Sequence, residues 1–448
     1  MYISFLILLN RFITFVCKLF GYEASVFPGS IIYKFDKNIL HKLKYPKFVI
    51  GVSGSSGKGS TTEVIAHILE TSGYNVCWNK SGSNGIFAVM TLLLNNTKLN
   101  RDFNHDILLL EMDERHIKLA FPFDIFTHML ITNITRDQPA RNIHTNMIYN
   151  DIFATITDYT HLIINADDPI LNKVKIHHKG KITTYGISKT THSFKEMKVK
   201  SIEGAYCPKC SKKLKYDFYH YGHLGSYECP KCDFGRDLVD YEATDVKLDK
   251  KTFKIKGDTI HLNKDIIYAV YYTTAAYTLC REIGISKDKI LYALNENSIK
   301  AKRGKIYSLD KREINMLESK NENALSYYQS LKYIIDRKGT KTVVLGFDNV
   351  SRRYKYNDLS WLWDVEFELL LRDDIDKIIC IGRFKYDVAT RLTYAGIPSN
   401  KLILVDNLND LVNITKNKSK GNIFTMVCFD MSNIIQGLLK GDMKNENN

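Results

Sequence analysis

A glycine-rich stretch between a predicted strand and a predicted helix constrains the fold more than any other feature. The residues GVSGSSGKGSTTE, from Gly51 to Glu63, follow the apolar run KFVI. Such a turn directs several backbone N–H groups, and the positive end of the helix dipole, at one point. Lys58 can reach phosphate oxygens there, and the hydroxyl of Ser60 or Thr61 can ligate Mg²⁺. The sequence therefore predicts a nucleotide-phosphate loop in an α/β domain.

The loop departs from the usual P-loop pattern, GxxxxGK[ST], at two positions. Val52 stands where the pattern has its first glycine, and Gly59 separates the lysine from the first hydroxyl. A shorter form remains, in the expected place between a strand and a helix. The residues that we expect to surround the nucleotide phosphates are Gly54, Gly57, Lys58, Gly59, Ser60 and Thr61.

Short apolar runs alternate with helical patterns in two series along the chain. The first series contains the predicted strands FVIGV, YNVCW, DILLLEM, HMLITNI and HLIINA, with helices near 61–71, 87–94 and 147–157. The second contains EINML, TVVLGF, KIICIG, KLILV and IFTMVCF, with helices near 324–337, 363–371, 386–395 and 434–439. Continuous apolar strands separated by helices predict parallel sheets that are covered on both faces. We therefore predict an α/β fold, with a P-loop ATP-binding domain followed by a Rossmann-like α/β domain.

The length of the chain supports this division, because 448 residues exceed one ordinary hydrophobic core. We expect an N-terminal helix and lead-in over 1–45, a central ATP-binding domain over 46–300 and a C-terminal α/β domain over 301–448. An insertion rich in Cys, Tyr and Lys occupies residues 203–237 of the central domain.

The net charge indicates which kinds of partner the chain favours, and the cysteines indicate its cellular compartment. The chain carries 63 Lys and Arg against 49 Asp and Glu, a formal net charge of +14, which favours anionic partners such as nucleotides or anionic lipid head groups. The nine cysteines do not form the even, spaced framework of a disulfide-rich secreted domain. This pattern predicts a reducing compartment, the cytoplasm.

The N-terminal segment MYISFLILLNRFITFVCKLFGY predicts an amphipathic helix. Its first apolar run has about nine residues, short of the roughly 20 that a membrane span requires. It also lacks the basic start and the small-residue cleavage site of a signal peptide. Ser4, Arg11, Thr14 and Lys18 form a polar stripe at helical spacing. Two interpretations stay open: the helix packs on the protein, or it contacts the inner membrane surface.

Acidic residues follow a predicted strand in the stretch LLLEMDER. Glu111, Asp113 and Glu114 stand at its C-terminal end, which is the edge where open α/β sheets bind ligands. A carboxylate in this place can hold a Mg²⁺ ion that bridges nucleotide phosphates. We therefore expect a magnesium site beside the phosphate loop.

Four cysteines in the insertion have the spacing C-x2-C-x18-C-x2-C, namely Cys207, Cys210, Cys229 and Cys232. Each CPxC turn presents two thiolates, and two such turns complete one tetrahedral Zn²⁺ site. Four protein ligands leave no open position for water, so we predict a structural zinc ribbon rather than a catalytic metal.

The motifs together resemble a known superfamily. GSSGKGSTT, LLLEMDE, ITNITRDQ and NADDP, in that order, are similar to the central ATPase domain of the Mur ligases. The ribbon sequence YGHLGSYECPKCDF, the stretch NDLSWLWDVEFELL at 357–370 and the N-terminal FPGSIIYKFDKNIL resemble the MurT subunits of lipid II isoglutaminyl synthase. This resemblance runs over nearly the whole chain.

The resemblance implies a two-step amidation. ATP would phosphorylate the α-carboxylate of D-glutamate in the lipid II stem peptide, and ammonia would then displace phosphate. A GatD-type glutaminase partner would supply the ammonia from glutamine, and an aspartate of the MurT-like C-terminal domain would complete its Cys–His triad. Asp358 and Asp364 are the two candidates, and the sequence does not separate them.

The resemblance also assigns roles at matching positions. Further residues near the nucleotide would be Asn165, Asp167, Asp168, Arg303, Lys320 and Asn321. Those near magnesium would be Ser60, Glu111, Glu114, Asn133, Asp137 and Gln138. The implied cofactors are ATP, Mg²⁺ and a structural Zn²⁺.

The chain departs from the family pattern in several stretches, among them RDQPARNIHT and YAVYY at 268–272, where the family has asparagines near adenine. One alternative is therefore a stand-alone Mur-type ligase that adds an amino acid to a related peptidoglycan or pseudomurein-like precursor. A nucleic-acid-binding protein is a third interpretation, because basic charge and a ribbon occur there too. Its stacking residues would be Tyr206, Tyr216, Phe218, Tyr219 and Tyr221. The phosphate loop argues against that interpretation.

Overall fold

The computed structural model describes residues 1–80, 82–137, 144–196, 203–296, 306–318, 323–348, 357–428 and 431–438. The chain divides into two compact units. The first contains Met1–Ile134, Thr145–Lys195 and Glu203–Ile299, and the second contains Thr135–His144, Glu196–Ile202 and Lys300–Asn448.

The first unit is built of helices around a large sheet. Its helices are α1 (Tyr2–Leu19), α2 (Phe27–Phe35), α3 (Lys58–Thr71), α4 (Ile86–Asn95), α5 (His116–Ala120), α6 (Thr145–Phe153), α7 (Pro169–Asn172), α8 (Ile267–Glu282) and α9 (Lys287–Leu291). Its strands are β1 (Phe48–Ser53), β2 (Val76–Trp78), β3 (Ile107–Glu111), β4 (His128–Ile131), β5 (His161–Asn165), β6 (Ile182–Ile187), β7 (Lys215–Tyr221), β8 (Leu224–Glu228), β9 (Tyr241–Lys247), β10 (Thr252–Ile255) and β11 (Asp258–His261). Short turns of 3₁₀ or π helix occupy Ile39–Lys42, Lys173–Ile176 and Tyr292–Glu296.

Within the described residues, the strand order of the main sheet is β11-β10-β9-β6-β5-β4-β1-β3-β2, and β7 and β8 form a separate hairpin. The strands from β2 to β6 pair in parallel, while β9, β10 and β11 form an antiparallel extension. β3 and β5 are buried along most or all of their length, as expected for strands covered by helices on both faces. All five strands predicted for this unit are confirmed.

The N-terminal helix packs on the body of the first unit, as one of the two interpretations predicted. Leu6 and Ile7 of α1 join Ile32 of α2 in the hydrophobic core of this unit. Thr14 of the polar stripe is buried in this packing, together with Asn10. α1 is also one continuous helix of 18 residues that is apolar enough, by length and composition alone, to cross a membrane. The first apolar run of about nine residues therefore understated the length of the apolar helix.

The second unit has the predicted Rossmann-like pattern. Its helices are α10 (Ala324–Ile335), α11 (Lys385–Tyr394), α12 (Leu411–Lys418) and α13 (431–438), and its strands are β12 (Ile306–Leu309), β13 (Arg312–Glu318), β14 (Lys341–Gly346), β15 (Ile375–Ile381), β16 (Leu402–Leu404) and β17 (Asn422–Val427). In the described part, the sheet order is β12-β13-β17-β14-β15-β16, and every pair except β12 with β13 is parallel.

The helix predicted near 363–371 is wrong. The segment instead forms two 3₁₀ turns, Ser360–Asp364 and Phe367–Leu370. Arg391 of α11 is the physical reason, because its buried guanidinium donates to the carbonyl oxygens of Leu362 and Val365 at 3.2 and 2.8 Å. Side-chain donors that occupy main-chain acceptors favour tight turns over a continuous helix.

Candidate active site

The phosphate loop lies at the carboxyl end of β1 and leads directly into α3. Gly54 has a φ of 123°, and a Cβ atom there would lie 2.4 Å from Thr132 Oγ1. Gly57 has a φ of 85° and immediately precedes the first residue of α3. Both positions lie in the left-handed region, so any other residue would be strained there. The loop therefore has the close backbone approach and the helix entry that a phosphate site needs.

The end of β4 holds this loop in place. Asn133 accepts hydrogen bonds from Ser55 N through its carbonyl oxygen, at 2.8 Å, and from Ser56 N through its Oδ1, at 3.1 Å. Its Nδ2 donates back to the Ser56 carbonyl oxygen at 2.9 Å, and Thr132 Oγ1 donates to the same oxygen at 2.6 Å. The side chain of Asn133, assigned to magnesium by the resemblance, thus clamps the loop. Thr132, which sequence reasoning did not single out, does so as well.

Lys58 and Glu114 form a buried ion pair at the loop. Lys58 Nζ lies 2.6 Å from Glu114 Oε1, and the two side chains are 9% and 4% exposed. The same ammonium group donates to the Gly54 carbonyl oxygen. Removing either partner would leave an uncompensated buried charge, which costs about 3–5 kcal/mol in proteins. A bound phosphate would compete with Glu114 for this ammonium group.

The other predicted magnesium ligands of the first unit lie around the same edge. Glu111 ends β3, opposite Val52 of β1, and its Oε1 accepts a hydrogen bond from Asn84 Nδ2 at 3.1 Å. Thr61 is fully buried, and its Oγ1 donates to the Gly57 carbonyl oxygen at 2.9 Å. Ser60 is half-buried in the first turn of α3. The structure thus brings together the phosphate loop, a strand-end carboxylate and a hydroxyl.

Five further family-derived positions are not among the described residues of the first unit. Asp137 belongs to the second unit, where its Oδ1 accepts a hydrogen bond from Asn323 Nδ2 at 3.1 Å. Gln138, Arg303, Lys320 and Asn321 lie outside the described residues.

In the NADDP turn after β5, the polar side chains form hydrogen bonds within the protein rather than lining an open ligand site. Asp168 is the N-cap of α7, and its Oδ1 accepts from Ile170 N at 2.9 Å. Its Oδ2 accepts from Ile134 N at 2.7 Å. Asn165 Nδ2 donates to the Thr132 carbonyl oxygen at 3.2 Å. The turn therefore supports the clamp that holds the phosphate loop.

Three side chains that sequence reasoning missed complete the bonding of the two aspartates, which are 0% exposed. Asp167 accepts hydrogen bonds from Arg236 Nε and Tyr271 OH, both at 2.6 Å. His223 Nε2 lies 3.2 Å from Asp168 Oδ1. The sequence signals were indirect: Tyr271 lies in the YAVYY stretch that departs from the family, and His223 lies in the ribbon sequence YGHLGSYECPKCDF. Position along the chain gave no indication that these residues meet.

Neighbouring charges favour the protonated forms of His223 and Arg236. Burial lowers the pKa of His223, but the neighbouring carboxylates of Asp168 and Glu203 more than offset it and leave the pKa raised. Burial likewise disfavours the Arg236 guanidinium, and Asp167 outweighs that effect and raises its pKa. Asp167 is therefore paired with a buried guanidinium, and Asp168 with a histidine whose protonated form it favours.

The four predicted zinc ligands come together in the ribbon. The Sγ atoms of Cys207 and Cys232 are 3.5 Å apart, and those of Cys210 and Cys229 are 3.4 Å apart. All four sulfurs lie within 4.8 Å of one another. A tetrahedral site with Zn–S bonds of about 2.3 Å requires sulfur separations of about 3.8 Å. The donor set therefore fits one structural Zn²⁺ ion held by four thiolates.

The aromatic residues of the ribbon serve its packing. Phe218 and Tyr221 are buried, and the rings of Tyr216 and Tyr219 stack on each other with centroids 4.2 Å apart. The Tyr216 hydroxyl donates to the Gly204 carbonyl oxygen at 2.9 Å. Four of the five candidate stacking residues are thus engaged in packing, whereas Tyr206 is exposed.

The second unit holds the two candidate triad aspartates in unlike surroundings. Asp358 is half-buried, and its Oδ1 accepts a hydrogen bond from Ser360 N at 2.8 Å. Asp364 forms an ion pair with Arg136 at 2.9 Å, and Arg136 also donates to Ser360 Oγ. Burial and the nearby charge of Asp358 raise the pKa of Asp364 despite the attraction of Arg136. Asp364 is thus committed to an internal partner.

Comparison with known proteins identifies both units. Residues 52–223 match the Mur ligase middle domain, and residues 320–430 match the MurT ligase C-terminal domain. The lipid II isoglutaminyl synthase (glutamine-hydrolyzing) subunit MurT of Staphylococcus aureus (strain COL) is 27% identical over 390 residues, which cover 84% of each chain. The MurT subunit of Streptococcus pneumoniae (strain ATCC BAA-255 / R6) is 25% identical over 428 residues and 94% of each chain.

A solved structure supports the fold. The pseudomurein peptide ligase type C from Methanothermus fervidus matches 90% of this chain and 80% of its own, with a TM-score of 0.66 and 22% identity. Together these comparisons confirm the predicted Mur-ligase fold and the resemblance to MurT. These similarities support an ATP-dependent ligase.

We predict one tightly bound Zn²⁺ ion per chain. Cys229→Ser should abolish stoichiometric zinc and lower the melting temperature, because metal-binding free energy is folding free energy in small modules. Elemental analysis and thermal unfolding measure both effects. Cys17→Ser, which alters a cysteine outside the ribbon, should leave the zinc content unchanged. Freshly purified, reduced protein without zinc would contradict the assignment.

We also predict a pH-dependent contribution of His223 to stability. Because its pKa is raised in the folded state, the contribution is complete below about 6.5, the ordinary value for histidine. It is lost as the pH rises through the raised folded-state pKa. The difference in unfolding free energy between wild type and His223→Gln should therefore shrink with rising pH. The matched variant His177→Gln, at an exposed histidine, should show no such trend. A difference that grows with pH would refute the buried ion pair.

Proposed function

We propose that this Mur-type ligase is the synthetase subunit of a glutamine-dependent amidotransferase. It amidates the α-carboxylate of D-glutamate in the stem peptide of a lipid-linked cell-wall precursor. The observation that carries the proposal is the match of residues 320–430 to the MurT ligase C-terminal domain, since the middle domain alone is shared by ligases of other kinds.

The first step consumes ATP. An oxygen of the acceptor carboxylate attacks the γ-phosphorus of ATP, the bond to the β-phosphate oxygen breaks, and ADP leaves. In this proposal the N–H groups of the phosphate loop and Lys58 bind the phosphates. Charge on the transferred group is stabilised by such preorganised donors. The acyl phosphate that results is activated for attack by nitrogen.

Magnesium would be held at the carboxyl ends of β1 and β3. Ser60 is the hydroxyl that we assign to it, because Thr61 already donates to the Gly57 carbonyl oxygen. Glu111 is the carboxylate ligand, with Glu114 beside it. When bound, the ion would neutralise phosphate charge and orient the γ-phosphoryl group. Asn165, Asp167 and Asp168 support this site by positioning the loop and its clamp rather than by touching nucleotide.

The second step joins nitrogen to carbon. Ammonia attacks the acyl carbon, the bond from carbon to the phosphate oxygen breaks, and inorganic phosphate leaves with its electron pair. A proton lost from the nitrogen completes the amide. The ammonia comes from a separate glutaminase of the GatD type, which fits the word "subunit" in the names of the relatives.

We assign Asp358 rather than Asp364 to the glutaminase triad. Asp364 already pairs with Arg136, and loss of that partner would leave both charges uncompensated. Asp358 makes one short-range hydrogen bond to a backbone N–H and is half-buried. A carboxylate oxygen of Asp358 can therefore orient a histidine of another polypeptide and stabilise its imidazolium form.

The proposed acceptor is lipid-linked, and this places the enzyme in the cytoplasm at the inner face of the membrane. A stand-alone ligase that adds an amino acid to a related precursor is the second candidate. It is favoured by the structural similarity to a pseudomurein peptide ligase, and it needs no glutaminase.

Lys58→Met should reduce ATP-dependent turnover by about 10²–10³-fold, the typical loss for one charge-stabilising donor. Glu114 then loses its buried partner, so the melting temperature should fall as well. Turnover is measured by phosphate release, and ATP binding by the rise in melting temperature on adding nucleotide. Lys80→Met removes an exposed lysine of the same unit and should change neither quantity. Near-normal turnover in Lys58→Met would remove the phosphate-loop assignment.

Asp358→Asn should lower glutamine hydrolysis in the complex by orders of magnitude, while leaving complex formation and ATP turnover intact. Asn keeps the hydrogen bond to Ser360 N but cannot stabilise an imidazolium. Asp364→Asn is the control, and it should lower stability more than hydrolysis. Glutamate release and pull-down measure the two properties. If both variants hydrolyse glutamine normally, or no glutaminase binds, the stand-alone ligase is the better description.

A further inference from the structure

The helix α1 has an exposed apolar face in addition to the apolar residues that it buries against the protein. Five side chains on it are between 50% and 71% exposed: Phe5, Leu8, Phe12, Phe15 and Leu19. Their spacing is three, four, three and four residues, so at about 100° per residue they fall within roughly 80° of the helix circumference. We call these five residues the outward stripe. An ordinary surface helix has the opposite arrangement, with polar residues outside.

Hydrogen bonds fix this orientation. Asn10 is fully buried, and its Nδ2 donates to the Thr91 carbonyl oxygen at 3.3 Å and to Asn95 Oδ1 at 2.9 Å, both on α4. Asn95 Nδ2 donates to Thr14 Oγ1 at 3.3 Å. Turning the helix over would break these bonds and leave their groups unpaired in the core, which is costly.

Two further polar side chains hold α1 from its flank. Arg11 Nη2 donates to the Thr97 carbonyl oxygen at 2.6 Å, and Ser4 Oγ donates to the Leu99 carbonyl oxygen at 3.0 Å. All polar side chains from Ser4 to Thr14 are therefore bonded to the α4 region or the loop after it. The outward stripe itself contains no hydrogen-bonding side chain.

We propose that the outward stripe docks on the surface of an anionic lipid bilayer, with α1 lying in the plane of the interface. The helix of 18 residues is about 27 Å long. Its exposed aromatic and aliphatic side chains would enter the boundary between head groups and acyl chains. Phe20 and Tyr22, directly after the helix, are 72% and 71% exposed and would continue this contact.

The charge around the stripe matches an anionic bilayer. Residues 1–47 contain seven Lys and Arg against two acidic residues, a net charge of +5 from 7 − 2. Lys18 lies exposed in the last turn of α1, and Lys34 and Lys37 are exposed at the end of α2. Basic side chains beside an apolar helix face can extend their charged ends to lipid phosphates.

The polar contacts argue against a membrane-spanning helix. A span would withdraw Asn10, Arg11 and Thr14 from their partners and place an arginine near the middle of the hydrocarbon layer. Charged side chains at that depth are strongly disfavoured. A protein partner fits less well too, because protein interfaces carry regular hydrogen bonds and the stripe offers no donor or acceptor. The inference concerns where the whole chain resides, and it holds whichever ligase reaction the site performs.

The test is co-sedimentation of the full chain with vesicles of phosphatidylcholine, alone or mixed with phosphatidylglycerol, in the absence of any precursor. Wild type should sediment with the mixed vesicles, and the combined variant Phe5→Ser/Phe12→Ser/Phe15→Ser should bind roughly a hundredfold less tightly or worse. Since all three side chains are exposed, its melting temperature and its ATP turnover without vesicles should equal those of wild type. Those two readouts separate failure of this inference from failure of the proposed ligase function.

A matched control comes from the same unit. Tyr159→Ser/Leu238→Ser removes two apolar side chains that are each 96% exposed and lie outside α1, and it should bind vesicles as wild type does. Lys34→Gln/Lys37→Gln should weaken binding to the mixed vesicles more than binding to phosphatidylcholine alone, because it removes only charge.

Several results would overturn the proposal. Wild-type protein could stay in the supernatant, or the stripe variant could bind as wild type does. Sedimented protein that resists alkaline carbonate extraction would also overturn it, because it would indicate a membrane-spanning helix. Self-association of wild type without vesicle binding, abolished in the stripe variant, would instead assign the face to a second copy. As an independent readout, Phe12→Trp should become quenched by brominated acyl chains, and unchanged emission would also count against docking.

Discussion

Two adjacent buried carboxylates, Asp167 and Asp168, hold together the sheet edge of the first unit that carries the glycine-rich loop. Asp168 accepts the backbone N–H of Ile134, so it fixes the chain directly after the residues that clamp the phosphate loop. Asp167 binds Arg236 and Tyr271. Charges without solvent contact are tolerated only when they are paired and fully hydrogen-bonded. The loop geometry therefore depends on residues that arrive from distant parts of the sequence.

This dependence gives the four-cysteine ribbon a structural role, because two of the side chains that bond the aspartates come from it or its vicinity. His223 lies in the turn between β7 and β8, and Arg236 follows the last zinc-ligating cysteine. A segment of this size has too small a core to order itself, and the Zn²⁺ ion that we predict at the four thiolates would supply the missing folding free energy. Once folded, the ribbon brings Arg236 to Asp167 and His223 to Asp168. A metal ion at the four cysteines would thus support the phosphate loop indirectly, through these two contacts.

The sequence was a good guide wherever local chemistry decides structure. The buried strands, the strained glycines Gly54 and Gly57 and the four-cysteine cluster were all predictable, because each depends on neighbours in the chain. The unpredicted features depend on distant partners. The polar face of α1 is buried because Asn95 lies opposite Asn10, and the segment after Ser360 is not α-helical because Arg391 takes its carbonyl oxygens. The spacing of apolar and polar residues along the sequence cannot predict contacts between residues this far apart in the chain.

Charge balance at the phosphate loop links nucleotide and metal under the proposed function. In the structure Lys58 compensates Glu114 at 2.6 Å, in surroundings that exclude most water. Phosphates that draw the ammonium group away would leave Glu114 buried and uncompensated, a costly state. A divalent cation arriving with the nucleotide removes that cost, because it supplies positive charge to Glu111, Glu114 and the phosphate oxygens together. Nucleotide without metal should therefore bind weakly, because its phosphates would take Lys58 from Glu114 and leave that carboxylate buried without a partner. The resting ion pair thus makes the site selective for the complex of metal and nucleotide.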